Sequence, residues 1–196
     1  MFQTTETPLL HTHRYILRPF HASDASAFAA AVRESMATVG LWMSWANAGY
    51  NEGQARAWFA MCDAARAQGA DQEFGIFRAD TRAFVGGAGL NQFNHANGFC
   101  NLGYWVRESA QRQGAALEAV HALLPLAFTQ LQLSRVEIVM AVGNAPSLAV
   151  ARKVGATYEC LARNRLRLHG QPVDAHVFSV LPPGANGSAG TAAVSV

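Results

Sequence analysis

Gln111-Arg112-Gln113-Gly114-Ala115-Ala116 stands between an aromatic strand, Leu102-Gly103-Tyr104-Trp105-Val106, and an amphipathic helix. A loop opening a helix exposes several unpartnered backbone N–H groups at the positive end of the helix dipole, about half a unit charge, which favours an anion such as phosphate. Gly114 carries no side chain to hold phosphates away from the backbone, and Arg112 places a cation beside them. The loop therefore reads as a seat for a phosphate-bearing ligand.

Outward from the loop, both flanks carry strong periodic signals. The helix repeats Leu117, Val120, Leu123/Leu124, Ala127/Phe128 and Leu131 as a core-facing stripe, with Pro125 expected to kink it by removing one helical hydrogen bond. Upstream, Phe74–Phe77 and Phe84–Leu90 read as strands joined by a turn at Asp80-Thr81, and the second leads through Asn94–Gly98 into the aromatic strand. Gly86, Gly87 and Gly89 weaken that middle strand and predict a bulge or a close approach. Downstream, Val136–Val142 is the clearest strand. A short helix follows from Pro146 to Val154, closed by Gly155, and then a hairpin of Tyr158–Leu168 and Val173–Val180. Before all of these come a strand at Tyr15–Arg18 stopped by Pro19, a helix starting near Ser23 or Asp24, the aromatic segment Leu41–Trp45, and a helix from about Glu52 to Gln68.

The composition sets limits on function. The chain has 196 residues, 51% of them hydrophobic and 14% charged, which fits one globular domain with a sizeable core. Residues 1–181 are expected to form it, with a flexible Gly/Ala/Ser tail over 182–196. A net charge of +2, with a single lysine (Lys153), argues against nucleic acid and anionic membranes as partners. Cys62, Cys100 and Cys160 are odd in number and far apart, the pattern of reduced thiols. With neither an apolar signal core in the first fourteen residues nor an apolar run of about 18 residues, a cytoplasmic protein is expected. His11 and His13 read as surface residues, and no metal site is expected. Gly86-Gly87-Ala88-Gly89 lacks the following helix that a dinucleotide fingerprint requires.

The order strand, two helices, three strands, loop and helix, strand, helix, two strands resembles the GCN5-related N-acetyltransferase (GNAT) fold, and within it the Rim-type ribosomal-protein N-terminal acetyltransferases. Three segments between about Arg14 and Val180 carry the resemblance: Gly103-Tyr104-Trp105-Val106; the loop, which fits Q/R-x-x-G-x-G/A; and Asn144-Ala145-Pro146-Ser147 leading into Leu148–Ala156, close to N-x-x-S-x-x-V-x-x-K-x-G-F. The resemblance implies an α/β (α+β) fold with a mixed sheet of about seven strands, splayed in the middle and covered by helices on both faces.

It also implies acetyl-CoA as cosubstrate, without a metal. Its pyrophosphate would lie on Gln111, Arg112, Gln113, Gly114, Ala115 and Ala116, and its pantetheine arm along Trp105 and Val106, fixed by Asn144. A backbone N–H near Val106 would polarise the acetyl carbonyl. Ser147 would donate toward the CoA sulfur, with Tyr104 as the second candidate acid, and Trp42, Met43 and Trp45 would line the acceptor pocket. Read from the residues alone, Asn144 or Ser147 caps the helix, Tyr104 is equally core or pocket wall, and the tryptophans are core packing. The resemblance supplies no base, since Asn101 and Leu166 stand where related enzymes carry glutamates. Glu118 reads as a first-turn residue favoured by the helix dipole, and Glu73 and His95 as solvated strand-end or loop residues.

The implied reaction is direct attack of a primary amine on acetyl-CoA in a ternary complex. The acceptor is a protein N-terminus or, alternatively, a small-molecule amine, and the protein is a monomer or homodimer. The contrasting expectation is a weakly catalytic CoA-binding sensor.

Overall fold

The computed structural model describes residues 9–185. Its centre is one mixed sheet of eight strands: β1 (Leu10–His11), β2 (Tyr15–Arg18), β3 (Gln72–Arg78), β4 (Phe84–Asn94), β5 (Phe99–Val106), β6 (Arg135–Ala141), β7 (Thr157–Leu168) and β8 (Gln171–Val180), in spatial order β1-β2-β3-β4-β5-β6-β8-β7. The count exceeds the expected seven because β1 is only two residues long, too short to show an alternating pattern. Of the expected tail, residues 186–196 lie outside the described residues.

Neighbouring strands run antiparallel except β5 and β6, which run parallel. That pairing lasts only from Phe99–Arg135 to Asn101–Glu137. Beyond it, β6 stays with β8 as far as Ala141–Ala175, and β5 stays with β4 as far as Val106–Gly86. The sheet therefore splits between the C-terminal halves of two adjacent strands.

Alternation along each strand sends side chains to two cores. One face gathers Leu17, Phe74, Leu90, Leu102, Val136 and Ile138 under α3 (Ala115–Pro125) and α4 (Ala145–Val154). The other gathers Phe20, Phe77 and Phe84 under α1 (Ala25–Glu34) and α2 (Glu52–Ala67), with Phe28 at its centre. Phe28 meets the rings of Phe59 and Trp105 edge-on at 5.4 and 5.3 Å, a favoured aromatic geometry.

Local signals explain the helix ends. Asn51 and Gln54 form a reciprocal capping box at the start of α2. Gly155, with φ 80°, closes α4 in the left-handed conformation. After Pro125 the α-helix of α3 passes into a π-helical stretch, Leu126–Gln130, rather than simply bending; the proline removes the α-type bond and wider bonds take over. In β4 the expected close approach is present. A Cβ on Gly86 would overlap the Trp105 carbonyl oxygen and stand 3.0 Å from Val106 Cα. The register shifts opposite this point, between Ile76 and Phe77.

Candidate active site

The split in the sheet opens a cavity of about 740 Å³. Its walls are the free halves of β5 and β6, the loop before α3, the first turns of α4 and the segment after α1. Arg107 N–H donates to the Val85 carbonyl (2.9 Å), so by antiparallel alternation the backbone groups of Trp105 also face β4, and those of Tyr104 and Val106 face the split. The Val106 carbonyl accepts from the Gln111 side chain at 3.0 Å, consistent with that direction. Past Asn101 no strand of the described residues pairs with this edge. An extended amide chain such as a pantetheine arm fits as the missing strand.

At one end of the split, Arg112 and Gly114 have φ of 61° and 84°, curling the loop over the start of α3. The first intrahelical bond runs from Glu118 N–H to the Gly114 carbonyl, so the N–H groups of Ala115, Ala116 and Leu117 have no partner within the helix. Arg14 also stands here: its Nε donates to Glu118 at 2.6 Å, and its guanidinium closes over the open side of Gly114. Arg14 was not legible as a site residue, because it reaches the loop from the β1–β2 connection. Lys153, on α4, adds a further cation to the lining. Glu34 holds the loop from behind. Its carboxylate binds the Arg107 side chain and accepts from Ser109 N–H at 2.8 Å. The Arg107 guanidinium is the main reason that its pKa falls from 4.5 to about 2.

At the inner end, Tyr104 and Ser147 meet, their hydroxyls 2.9 Å apart. Burial pushes the Tyr104 phenol up to about 12, against the opposing effect of its Ser147 bond, so it remains protonated throughout the physiological range. Asn144 caps α4 by accepting from Ser147 N–H at 3.2 Å, which uses its Oδ1 and leaves its amide NH₂ available to a ligand. The capping role read for this pair therefore falls on Asn144, while the Ser147 hydroxyl turns to Tyr104.

Of the residues expected to bind ligand, Trp105, Val106, Gln111, Arg112, Gly114, Ala115, Ala116, Asn144, Ser147, Trp42 and Met43 all line this cavity, as does Tyr104. Two stand off it. Gln113 turns outward, accepting from Arg78 at 3.3 Å and donating to the Ser109 carbonyl at 3.3 Å. Trp45 packs on Trp105 and Tyr50 with ring centres 5.7 and 5.9 Å apart, so it supports the wall from outside. Trp42 lies against Gly143, 3.6 Å from its Cβ position, and Ser44 accepts from His169 N–H at 2.8 Å. The segment after α1 thus reaches both the β6–α4 turn and the β7–β8 hairpin across the cavity mouth.

Among the described residues lining the cavity there is no aspartate, glutamate or histidine. His95 is exposed in a turn, and Glu118 is bound to Thr12 and Arg14. Glu73 is not solvated as its strand-end position suggested. Its carboxyl is desolvated between α2 and the sheet, and burial raises its pKa to about 7. No group of three or more His, Cys, Asp or Glu able to hold a metal occurs among the described residues.

A divided sheet with unpaired backbone on one side and an anion seat at a helix start is the architecture of an enzyme that lays an acyl-CoA between its strands. Residues 14–157 match the acetyltransferase (GNAT) domain family, and the chain belongs to that family. It is an acetyl-CoA-dependent acetyltransferase. The N-acetyltransferase p20 of Bacillus licheniformis, itself uncharacterized, is 30% identical over 128 residues, covering 65% of this chain and 72% of p20. YdaF of Bacillus subtilis, assigned as a ribosomal N-acetyltransferase, is 34% identical over 92 residues; the match spans 47% of this chain and half of YdaF. Among solved structures, a Vibrio cholerae protein assigned as a ribosomal-protein-serine acetyltransferase superposes with a TM-score of 0.81 at 33% identity, covering 91% of this chain and 100% of the other. RimJ of Mycobacterium smegmatis, in complex with CoA-disulfide, gives 0.79 at 25% identity, covering 86% of this chain and 82% of RimJ. Most of these structural neighbours are Rim-type ribosomal-protein acetyltransferases, as the three sequence segments implied, and a microcin C7 self-immunity acetyltransferase shares the fold.

Proposed function

We propose that the protein acetylates the α-amine of a protein N-terminus in the cytoplasm by direct attack on acetyl-CoA, with residues up to about 181 acting as one acetyltransferase domain. The observation that carries this reading is the cavity itself. It continues from the split strands to a mouth walled by Trp42, Met43, Leu166 and Leu168. That mouth suits one small, uncharged N-terminal side chain and has no carboxylate to hold a polyamine. Similarity to a protein assigned as a ribosomal-protein-serine acetyltransferase supports the same class of acceptor. An α-amine titrates near ~8, so about a tenth of it is already neutral at pH 7, whereas a lysine near ~10.4 is almost fully charged.

In this reading the Val106 N–H polarises the thioester carbonyl and stabilises the charge that develops on its oxygen. The Tyr104–Ser147 pair faces the departing sulfur. A phenol with a pKa of about 12 is too weak an acid to surrender its proton outright to a thiolate, whose conjugate thiol titrates near ~8.5 in a cysteine. Tyr104 therefore acts as a hydrogen-bond donor to that sulfur, backed by Ser147, and solvent supplies the final proton.

Tyr104→Phe is expected to lower turnover by roughly 10–100-fold and Ser147→Ala by about 3–10-fold, each with acetyl-CoA affinity nearly unchanged, as measured by thiol release and calorimetry. The acceptor class is tested with peptides beginning Ser or Ala, the same peptides N-terminally blocked but containing lysine, and a set of small amines. Preference for the free N-terminal peptides is expected; preference for the small amines would overturn the N-terminal reading.

A further inference from the structure

The cavity lining lacks a proton acceptor, yet a desolvated carboxylate lies directly beyond its floor. Glu73 on β3 and Asn91 on β4 point to the α2 side of the sheet. Asn91 Nδ2 donates to Glu73 Oε1 at 2.9 Å, and Asn101 Nδ2 on β5 donates to Asn91 Oδ1 at 2.9 Å. The three side chains form a row across β3, β4 and β5. Beside the row the sheet carries no side chains, because Gly89 and Gly103 are cross-strand partners on the same face. The second carboxylate oxygen, Oε2, lies over Gly89, where an added Cβ would collide with it. The Cβ position of Gly103 is 3.6 Å from Asn91 Nδ2 and 3.9 Å from Asn101 Nδ2, and Gly103 lines the cavity. Adjacent strands are about 4.8 Å apart, so an amine over Gly103 reaches Oε2 directly or through one water.

We propose that Glu73 accepts the proton from the substrate ammonium across this glycine floor, held in aim by Asn91 and Asn101. This rests on the reading of the cavity as the amine site. The charged acceptor transfers one proton to the Glu73 carboxylate and becomes a neutral amine. Its nitrogen lone pair then forms the bond to the thioester carbonyl carbon, the carbon–sulfur bond breaks, and the electron pair leaves on the sulfur. The nitrogen's second proton and the one on Glu73 are released to water or to the thiolate, which restores the carboxylate. Burial, the Asn91 bond, Asp71 and Arg66 together leave this carboxyl titrating at about 7, so it is ionised in a substantial fraction of molecules at neutral pH and still basic enough to take a proton. The groups facing it are Arg66 and Cys62 of α2, Asp71 just before β3 and Asn91 of β4. Arg66 binds the Glu73 main-chain carbonyl and, at 3.0 Å, Asp63, so its charge is shared rather than committed to the Glu73 carboxylate. The competing carboxylate is Glu137, beside Asn101 on β6, but it accepts from Arg135 at 3.1 Å.

The test follows CoA thiol release with N-terminal peptides and with a panel of primary amines, so that the base is examined on whichever amine turns over. Inert peptides beside an active small amine would remove the N-terminal reading and leave the Glu73 test intact. Glu73→Gln is expected to lower kcat for an α-amine by about tenfold at pH 7, with acetyl-CoA affinity within about twofold, and the deficit should nearly close by pH 9 as the amine deprotonates unaided. In that background Asn101→Asp, which returns a carboxylate to the same floor, is expected to recover about threefold, and Glu137→Gln in the parent to leave turnover unchanged. A kcat for Glu73→Gln within about threefold of the parent at pH 7, or an equal loss in Glu137→Gln, would overturn the proposal. Should Glu73→Gln lose acetyl-CoA binding, Asn91→Ala keeps the carboxylate but removes the bond that aims it and holds its pKa down. A 3–10-fold lower kcat with affinity retained is then the expected result, and an unchanged kcat overturns the assignment.

Discussion

Replacing Gly114 by valine is expected to weaken acetyl-CoA binding by at least ~100-fold while leaving the protein folded, as read by calorimetry and thermal unfolding. Two effects combine. At φ 84° a β-branched residue is a severe outlier, so the loop relaxes away from its curl and its N–H groups lose their common aim. The new side chain also meets Arg14, whose guanidinium closes over the glycine, and displaces a cation from the anion seat. Losing two charge-assisted hydrogen bonds at about 1.5–3 kcal/mol each accounts for the expected factor. The loop is on the surface and Arg14 is flexible, so global stability should change by little more than ~1 kcal/mol.

Gly86→Ala should act in the opposite sense, on the fold first. Its Cβ would overlap the Trp105 carbonyl oxygen and press on Val106 Cα at 3.0 Å. Both are backbone atoms of the neighbouring strand, so no side-chain rotation relieves the clash. Either β4 and β5 separate or the bulge opposite Gly86 is rebuilt. The expected cost is about 3 kcal/mol, a fall in Tm of roughly 6–12 °C. Because the displaced residues are Trp105 and Val106, turnover of the surviving folded fraction should fall as well. A normal Tm would mean that the strands are less closely apposed at Gly86 than the structure has them.

These glycines mark how far the sequence was legible. The helix after the loop, the aromatic strand before it and the Asn-x-x-Ser turn could be read directly, since each is a local pattern with a local cause: helical periodicity, a glycine needed at positive φ, and a cap. The split between β5 and β6 follows from the family resemblance rather than from any periodicity in Leu102–Val106 or Ile138–Ala141. Long-range placement was the least accessible. Glu73 looks like a solvated strand end beside Gln72, and only its cross-strand neighbours Gly89 and Asn91 reveal that its carboxyl is buried. Arg14 meets the loop from about a hundred residues upstream. Trp45 was expected in the pocket with Trp42 and Met43, but the aromatic cluster around Phe28 and Trp105 offered its ring more apolar contact. Gln113 fits the loop motif by position, yet its side chain takes partners on the outer surface.

Function depends first on the split sheet and the Gly114 loop holding acetyl-CoA. Calorimetric titration of the purified protein with acetyl-CoA, with dephospho-CoA for comparison, tests it most directly. Saturable one-to-one binding in the micromolar range is predicted for acetyl-CoA, and binding of dephospho-CoA should show how much is kept without the 3′-phosphate. Absence of binding by either would contradict the account, reducing the Gln111–Ala116 loop to a helix start and the cavity to an unused cleft.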